Sequence, residues 1–193
     1  MPRPTTPPAP SGTREKLVDA AVTLMRRSGL SGAGINEIVR ESGAPKGSVY
    51  HFFPGGKREI VEAGRAAHAG RVAAFIDATL AGRRSPREKV KALFEAFARR
   101  LEDSEFRQSC AAGAVCLDLD EEFEALLPAV AGALREYQHA IAAHFPFANR
   151  RRAESFAGLL LTAIEGAYIR GRAERSGRAF REAGEWLAAL AAD

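Results

Sequence analysis

Apolar residues near the start of the chain recur with the 3.6-residue period of an α-helix. The pattern predicts a first helix that begins after Thr13, which can cap it, and ends at Gly29, then a second helix over about residues 34–41. A tight turn at residues 42–44 precedes a third helix, which starts with Pro45 and reaches Phe53. The apolar positions of the first two helices are Leu17, Ala20, Ala21, Leu24, Met25, Ile35, Ile38 and Val39.

Longer helices are predicted after a Pro-Gly-Gly turn at residues 54–56, and no stretch alternates apolar and polar residues as a strand does. They cover about residues 57–80, 86–103, 121–145, 150–174 and 178–191, with a short helix in the less regular region 105–119. Pro128 is expected to mark a kink or a break. The chain is therefore predicted to be all-α.

The third helix divides its side chains between two directions. At about 100° per residue, Phe52 and Phe53 fall within about 60° of Val49, so these three residues are predicted to be core. Three short helices with a glycine-containing turn are typical of a helix-turn-helix, whose second helix enters the major groove of DNA. The residues predicted to face DNA are Lys46, Gly47, Ser48, Tyr50 and His51.

Lys57 opens the fourth helix directly after the Pro-Gly-Gly turn. Helix N-termini bind phosphate through free N–H groups, so a lysine at this position is predicted to clamp the DNA backbone. The basic excess lies in the same third of the chain: residues 1–60 contain nine Lys and Arg against five Asp and Glu, and charges balance in residues 61–193. This distribution favours an anionic partner, although a surplus of four also arises by chance.

Other segments exclude several classes of protein. An apolar leader and an apolar run of 18–20 residues are both missing, so we expect a cytoplasmic protein without a membrane partner. Cys110 and Cys116 fit neither a zinc site nor a redox motif, and we interpret them as buried thiols. We find no motif for an enzyme, a metal or a cofactor. The proline-rich residues 1–12 are predicted to be a disordered arm, from which Arg3 reaching a minor groove is the less favoured alternative.

A close resemblance to the TetR/AcrR family of transcriptional repressors spans about residues 13–65. It rests on the stretches REKLVDAAVTLMRRSG, INEIVRESGAPKGSVYHFF and GGKREIVEAG. The resemblance implies a homodimer that binds a palindromic operator, with an all-helical body for the partner subunit and an effector. By matching position, it implies contacts to bases or nearby backbone from Lys46, Gly47, Ser48 and His51, and phosphate contacts from Tyr50 and Lys57.

Two features depart from the common pattern of that family. Many members have histidine where Phe52 stands and one residue fewer between Phe53 and Lys57. Many also carry a phosphate-binding Ser or Thr where Ala33 and Gly34 stand, so that contact is absent here or comes from Ser31. The extra glycine resembles the LmrA/YxaF-type subgroup, as do CAAGAVCLDL and the stretch FAGLLLTAIEGAYIRGRAERSGRAFREAGEWLAALA. The subgroup implies an aromatic or otherwise hydrophobic effector.

The chain is thus predicted to divide into the arm (1–12), the helix-turn-helix domain (13–56) and an effector-binding and dimerisation domain (57–193). The last two helices are expected to cover their apolar faces with the same helices of a second subunit, internal packing being the alternative. The predicted dimer residues are Phe156, Leu160, Ile164, Tyr168, Trp186, Leu187 and Leu190.

A set of residues in the middle helices is predicted to line the effector pocket, although each is equally compatible with plain core. These residues are Phe75, Phe94, Phe97, Leu101, Cys110, Phe123, Leu127, Tyr137 and Glu165. Glu165 lies inside an apolar run, where a carboxylate needs a partner such as Arg170 or an arginine of the other subunit. Alternatively, it orients a hydroxyl of the ligand.

The predicted function is that of a dimeric repressor released from a palindromic operator by a hydrophobic small molecule. Three alternatives stay open: the same fold controlled by a protein partner or without any effector, a DNA-binding architectural protein with little sequence preference, and a helical enzyme or interaction domain with an incidental basic end.

Overall fold

A computed structural model describes residues 12–83, 85–119 and 121–191, in which every regular element is a helix. The all-α prediction is confirmed. The helices are α1 (Thr13–Ser28), α2 (Ile35–Ser42), α3 (Lys46–Phe52), α4 (Lys57–Leu80), α5 (Pro86–Asp103), α6 (Ala111–Leu117), a 3₁₀ helix (Glu121–Leu126), α7 (Leu127–Ala142), α8 (Arg150–Glu174) and α9 (Arg178–Leu190). The predicted arm lies outside the described residues except for Gly12, the N-cap of α1.

Helices α1, α2 and α3 pack together, and α1 also contacts α4 and α6. Gly43 ends α2 with a φ of 65°, a left-handed conformation that glycine adopts without strain, and this turn sets α3 against α1 and α2. The prediction that Thr13 caps α1 is wrong. Thr13 is the first helical residue and is buried, so its backbone is already within the helix.

The body is built from α4 to α9, with α5 against α9, α4 against α7, and α8 between α7 and α9. Ser85 and Glu88 form a capping box at the start of α5, so the predicted start at Pro86 is confirmed. Close packing depends on small residues at the crossing of α5 and α9. A Cβ at Gly184 would stand 2.8 Å from the Cβ of Phe94.

Two predictions for the body are corrected. Pro128 neither kinks nor breaks a long helix, because it lies in the first turn of α7, after the separate 3₁₀ helix; proline is accepted there since the first N–H groups of a helix have no partner. Cys116 is not a buried thiol, since it is exposed on the short helix α6, and Cys110, the N-cap of α6, is partly exposed.

Candidate DNA-binding surface and ligand cavity

Helix α3 is anchored by two side chains that have no exposed surface, Val49 and Phe53. They hold the opposite side of the helix outward, where Lys46 and His51 are exposed and Tyr50 is 55% exposed. The predicted core direction of Val49 and Phe53 and the outward direction of the other three residues are therefore confirmed, whereas Phe52, also predicted to be core, is only partly buried. Arg14 supports the anchor from α1, since its guanidinium carbon lies 5.2 Å from the centre of the Phe53 ring.

Gly47 leaves an open space on this surface. A Cβ added at this position would meet no other atom of the protein within 4 Å, and the residue needs no left-handed backbone. Neither packing nor backbone geometry within the chain therefore demands glycine here. The backbone of α3 is open to close approach at this position.

Ser48 is not presented outward, contrary to the prediction. It is only 8% exposed, on a helix that packs on both α1 and α2. Its backbone N–H donates to the Pro45 carbonyl oxygen over 2.9 Å.

Lys57 begins α4, as predicted, but its side chain is half-buried and points towards the body. The ammonium nitrogen stands 4.9 Å from the centre of the Phe123 ring in the 3₁₀ helix. A phosphate contact by Lys57 stays a prediction, and the same holds for Tyr50.

Hydrogen bonds tie the C-terminal end of α1 to the body. The Ser109 N–H donates to the Arg26 carbonyl oxygen over 2.9 Å, and Arg26 Nε donates to the Ser109 carbonyl oxygen over 3.1 Å. The Ser31 N–H donates to the Asp118 carboxylate over 2.7 Å, and this bond holds the pKa of Asp118 below its usual range. The end of α1 and the loop after it are therefore hydrogen-bonded to the loops that flank α6.

An interior cavity of about 20 Å³ lies directly behind this connection. It has room for about one water molecule. Of the predicted pocket residues, the cavity brings together Phe97, Cys110, Tyr137 and Glu165. The remaining lining residues are Arg26, His68, Val72, Ile76, Arg100, Ser109, Ile141, Leu161, Ile164 and Tyr168.

Five predicted pocket residues do not line this cavity. Phe75 lies behind Phe97, with ring centres 5.3 Å apart. Phe94 and Leu101 are core, packed at Gly184 and Gly171 respectively. The other two are near the 3₁₀ helix: Phe123 lies under Lys57, and Leu127 is 40% exposed.

Burial and nearby arginines control the charges at the cavity. The pKa of His68 is lowered to about 3, first by burial and then by the charges of Arg26 and Arg100, so His68 is neutral at pH 7. Burial raises the pKa of Glu165, although a hydrogen bond with the Cys110 thiol acts in the opposite direction. The prediction that Arg170 pairs with Glu165 is wrong, because Arg170 binds Glu174 one turn further along α8.

A groove of about 900 Å³ opens on the other side of Cys110 and Glu165. It shares Ser109, Cys110, Glu165 and Tyr168 with the inner cavity, so these residues form the partition between the two spaces. Gly113 leaves room for the partition, since a Cβ there would stand 2.4 Å from a Glu165 carboxylate oxygen.

Three of the predicted dimer residues are buried within the subunit: Leu160 at 0%, Ile164 at 2% and Tyr168 at 4% exposure. The subunit's own helices already cover this face of α8. The prediction that these three residues lie in the dimer interface is therefore wrong. Phe156 and Leu187 are partly buried. Trp186 is 79% and Leu190 57% exposed.

Trp186 and Leu190 are one turn apart on α9, and Leu159 of α8, which is 44% exposed, lines a groove of about 480 Å³ with Leu190. We call these three residues the α8–α9 surface. Leu159 was not among the predicted dimer residues.

The sequence analysis also overlooked Arg26, His68 and Arg100 as cavity residues. His68 had a detectable signal, since it interrupts the buried stripe of Gly64, Val72 and Ile76 on α4. A polar residue in an apolar stripe points to an interior polar site.

Over the described ranges, no helix has the length and apolar character that crossing a membrane requires.

Comparisons with known proteins agree with this geometry. The family described as "Bacterial regulatory proteins, tetR family" matches residues 17–63, which include α2 and α3. The family described as "Transcriptional regulator LmrA/YxaF-like, C-terminal domain" matches residues 86–186.

Relatives with known sequences match one or both parts. The HTH-type transcriptional regulator Rv0196 of Mycobacterium tuberculosis is 30% identical over 174 residues, which are 85% of this chain and 86% of that protein. The HTH-type transcriptional regulator LmrA of Bacillus subtilis is 52% identical over 48 residues, about a quarter of each chain.

Solved structures share the fold along nearly the whole length. The regulatory protein TetR of Rhodobacter sphaeroides superposes with a TM-score of 0.79 at 22% identity, covering 92% of this chain and 98% of that one. A cysteine mutant of the TetR family regulator CifR, solved with 26-base-pair operator DNA, gives a TM-score of 0.75 at 19% identity and covers 90% and 94%. The family match and the helix-turn-helix geometry agree that the chain belongs to the TetR family of transcriptional regulators, in its LmrA/YxaF-like subgroup, and is not an enzyme.

Proposed function

We propose that this regulator is a homodimeric repressor, which binds a palindromic operator and leaves it when a hydrophobic small molecule enters the body. The observation that carries the DNA-binding part is the outward surface of α3. Lys46, Tyr50 and His51 are exposed there on a helix whose opposite side is fully buried, and Gly47 opens the backbone to close approach.

In this proposal, α3 of each subunit enters a major groove, and the two helices lie roughly 34 Å apart, one turn of DNA. Lys46 and His51 reach base edges or nearby backbone, and Gly47 brings α3 close. Ser48 contributes at most through its backbone, since its side chain is covered. Tyr50 and Lys57 hold phosphates, which position the protein without reading sequence. Function on DNA would place the protein in the cytoplasm.

The homodimer is supported by the α8–α9 surface. Leu159, Trp186 and Leu190 leave apolar area in contact with water at the two last helices, and exposed apolar patches of this kind mark interaction sites. A two-fold axis through this surface would build a four-helix contact from α8 and α9 of each subunit.

Effector control is supported by the wall that the cavity shares with the DNA-binding domain. Arg26 belongs to α1 and lines the cavity, and Ser109 binds it from the loop before α6. A ligand that displaced this wall would shift α1, which packs against α3. A 100-fold loss of operator affinity requires about 2.7 kcal/mol of difference in ligand binding between the two arrangements.

The test is a selection of the purified protein against random duplex DNA, read by sequencing. The proposal predicts an enriched palindrome with two half-sites about 10 base pairs apart. Weak, salt-sensitive binding without enrichment would contradict it and favour an architectural protein.

A second candidate is control by a protein partner or by abundance, without a small-molecule effector. The size of the cavity favours this candidate, because drug-sized ligands occupy about 300–1,000 Å³ and the cavity holds about 20 Å³. Release of the operator by an aromatic compound would exclude it. It would be supported if no small molecule dissociated the complex with operator DNA and the protein fraction of a cell extract did.

A further inference from the structure

The side chains around the inner cavity carry an excess of positive charge. Arg26 and Arg100 line the cavity, and Glu165 is the one carboxylate among its lining residues. A smaller cavity of about 10 Å³ shares His68 and Tyr137 with it and adds Arg65. Glu62 also lines this smaller space, but it binds Arg58 over 3.1 Å.

None of these three arginines forms an ion pair with a carboxylate within the described ranges, in contrast to Arg181, which binds Glu95 and Glu102 over 2.8 Å each. Arg26 Nε donates to a carbonyl oxygen, and the guanidinium carbon of Arg100 stands 4.3 Å from the centre of the Phe75 ring. Arg65 Nε is buried without a hydrogen-bond partner. A guanidinium group in such a place is stabilised by a bound anion.

Two titratable groups of the inner cavity, His68 and Glu165, leave this positive excess in place. His68 stays neutral, since burial and the neighbouring arginines disfavour a further proton. Burial raises the pKa of the Glu165 carboxyl, while a hydrogen bond with the Cys110 thiol lowers it, and this single carboxylate faces the two arginines Arg26 and Arg100. The interior is therefore prepared for a negative charge and unfavourable for a positive one.

The walls near these arginines are aromatic. Phe97 and Tyr168 meet edge to face with ring centres 6.1 Å apart, and Phe75 continues the row behind Phe97. Buried tyrosine hydroxyls need partners, and Tyr137 and Tyr168 both line the cavity. A flat ring bearing one acidic group matches this combination of walls and donors.

We infer that the effector is an aromatic organic anion, whose charged group lies between Arg26 and Arg100 while its ring contacts Phe97 and Tyr168. This inference rests on the proposed function, since it names the chemical class of the proposed effector. The ligand reaches the cavity from the large groove through the partition of Cys110 and Glu165. Its ring displaces that partition, which stands beside Ser109 and hence beside the wall shared with α1.

The experiment uses three probes that share one ring system and differ in charge: 2-naphthoate, 2-naphthamide and the 2-naphthylmethylammonium ion. Binding to the full-length protein is measured by isothermal titration calorimetry at pH 7.5. A charge-assisted hydrogen bond is about twice as strong as a neutral one, so we expect naphthoate to bind at least about 10-fold more tightly than the amide. The ammonium ion should bind most weakly.

Two glutamine variants on α5 form a matched pair. Arg100→Gln removes a cavity charge and should weaken naphthoate binding about 10-fold without changing amide binding. Arg99→Gln removes an exposed arginine that binds Glu95 on the surface, and it should leave all three affinities unchanged. Arg100→Lys keeps the charge but loses the planar fork, so it should restore part of the preference for the anion.

Three results would overturn the inference. Equal or tighter binding of the amide or the ammonium ion overturns it and leaves the proposed function standing. An unchanged naphthoate affinity in folded Arg100→Gln also overturns the inference and leaves the proposed function standing. If none of the three probes binds at millimolar concentration, both the inference and the effector part of the proposed function fail, whereas the DNA-binding part is tested separately by the selection.

Discussion

Replacement of Trp186 by aspartate should separate the two subunits of the proposed homodimer. Trp186 is 79% exposed in the single subunit and lies on the α8–α9 surface with Leu159 and Leu190. An aspartate there would place a charge where the proposed interface has an apolar side chain, and each subunit contributes one such site.

The size of the effect follows from the exposed area. A tryptophan side chain presents about 200 Å², of which 79% is available for burial, or about 160 Å². At about 25 cal/mol per Å², full burial contributes about 4 kcal/mol for each subunit. If the interface covers only half of the ring, the two copies together contribute about 4 kcal/mol, which corresponds to about a 1,000-fold change in the dimer dissociation constant.

Sedimentation velocity across a concentration series measures this constant directly. Wild type should sediment as a dimer at micromolar concentration and Trp186→Asp as a monomer with unchanged helical content. Leu117→Asp is the matched control, because Leu117 is 81% exposed on α6 and lines the large groove rather than the groove of Leu159 and Leu190. A dimer that is unaltered in Trp186→Asp, or that Leu117→Asp disrupts as strongly, would refute the assignment of the interface.

Three further predictions concern the interior and the DNA-binding domain. The unfolded chain takes up a proton at His68 below pH 6.5 while the folded chain, with a pKa of about 3, does not, so acidification lowers stability. Between pH 7.5 and 5.5 the free energy of unfolding should fall by about 1.4 kcal/mol through this group, as measured by urea unfolding. His68→Gln should abolish this loss, and His51→Gln, at an exposed histidine, should not. Lys57→Ala should weaken binding to every duplex and lower the slope of log K against log salt by about 0.9, as loss of one phosphate contact does; an unchanged slope speaks against the clamp. Lys46→Ala should change the preferred half-site by about 1–3 kcal/mol at one position, and a uniform loss across sequences would make it a phosphate contact instead.

The helices and the core direction of α3 were predictable because both follow from local periodicity. Val49 and Phe53 repeat at helical spacing, and their burial is required for any packed α3. Ser48 was misjudged for a related reason. A residue on the flank of a helix is covered or exposed according to the number of neighbouring helices, which the spacing within one helix does not specify.

The dimer residues show a second limit. Leu160, Ile164 and Tyr168 form the more apolar face of α8, and this face packs inside the subunit. Periodicity finds an apolar face but does not distinguish a partner within the chain from a second copy. Trp186 and Leu190 were among the predicted dimer residues, whereas the exposure of Leu159 became visible only in the structure.

His68 alone gave a signal in the sequence; the charged cavity as a whole was beyond sequence reasoning because its residues come from distant helices. Arg26 belongs to α1, His68 to α4 and Arg100 to α5, and only the packing of these helices makes them neighbours. Charged residues at the ends of amphipathic helices are ordinarily solvated, so nothing in the local pattern identifies these arginines as interior groups.

We propose above that the outward surface of α3 reads DNA in a two-fold arrangement. A parallel selection from random duplexes with wild type and His51→Ala tests this most directly. We expect a palindrome for wild type. For the variant, we expect a weaker base preference at two positions of the palindrome that are related by the two-fold axis. A wild-type pool without a palindrome would contradict the claim, as would an identical palindrome from both proteins together with unchanged preferences in Lys46→Ala.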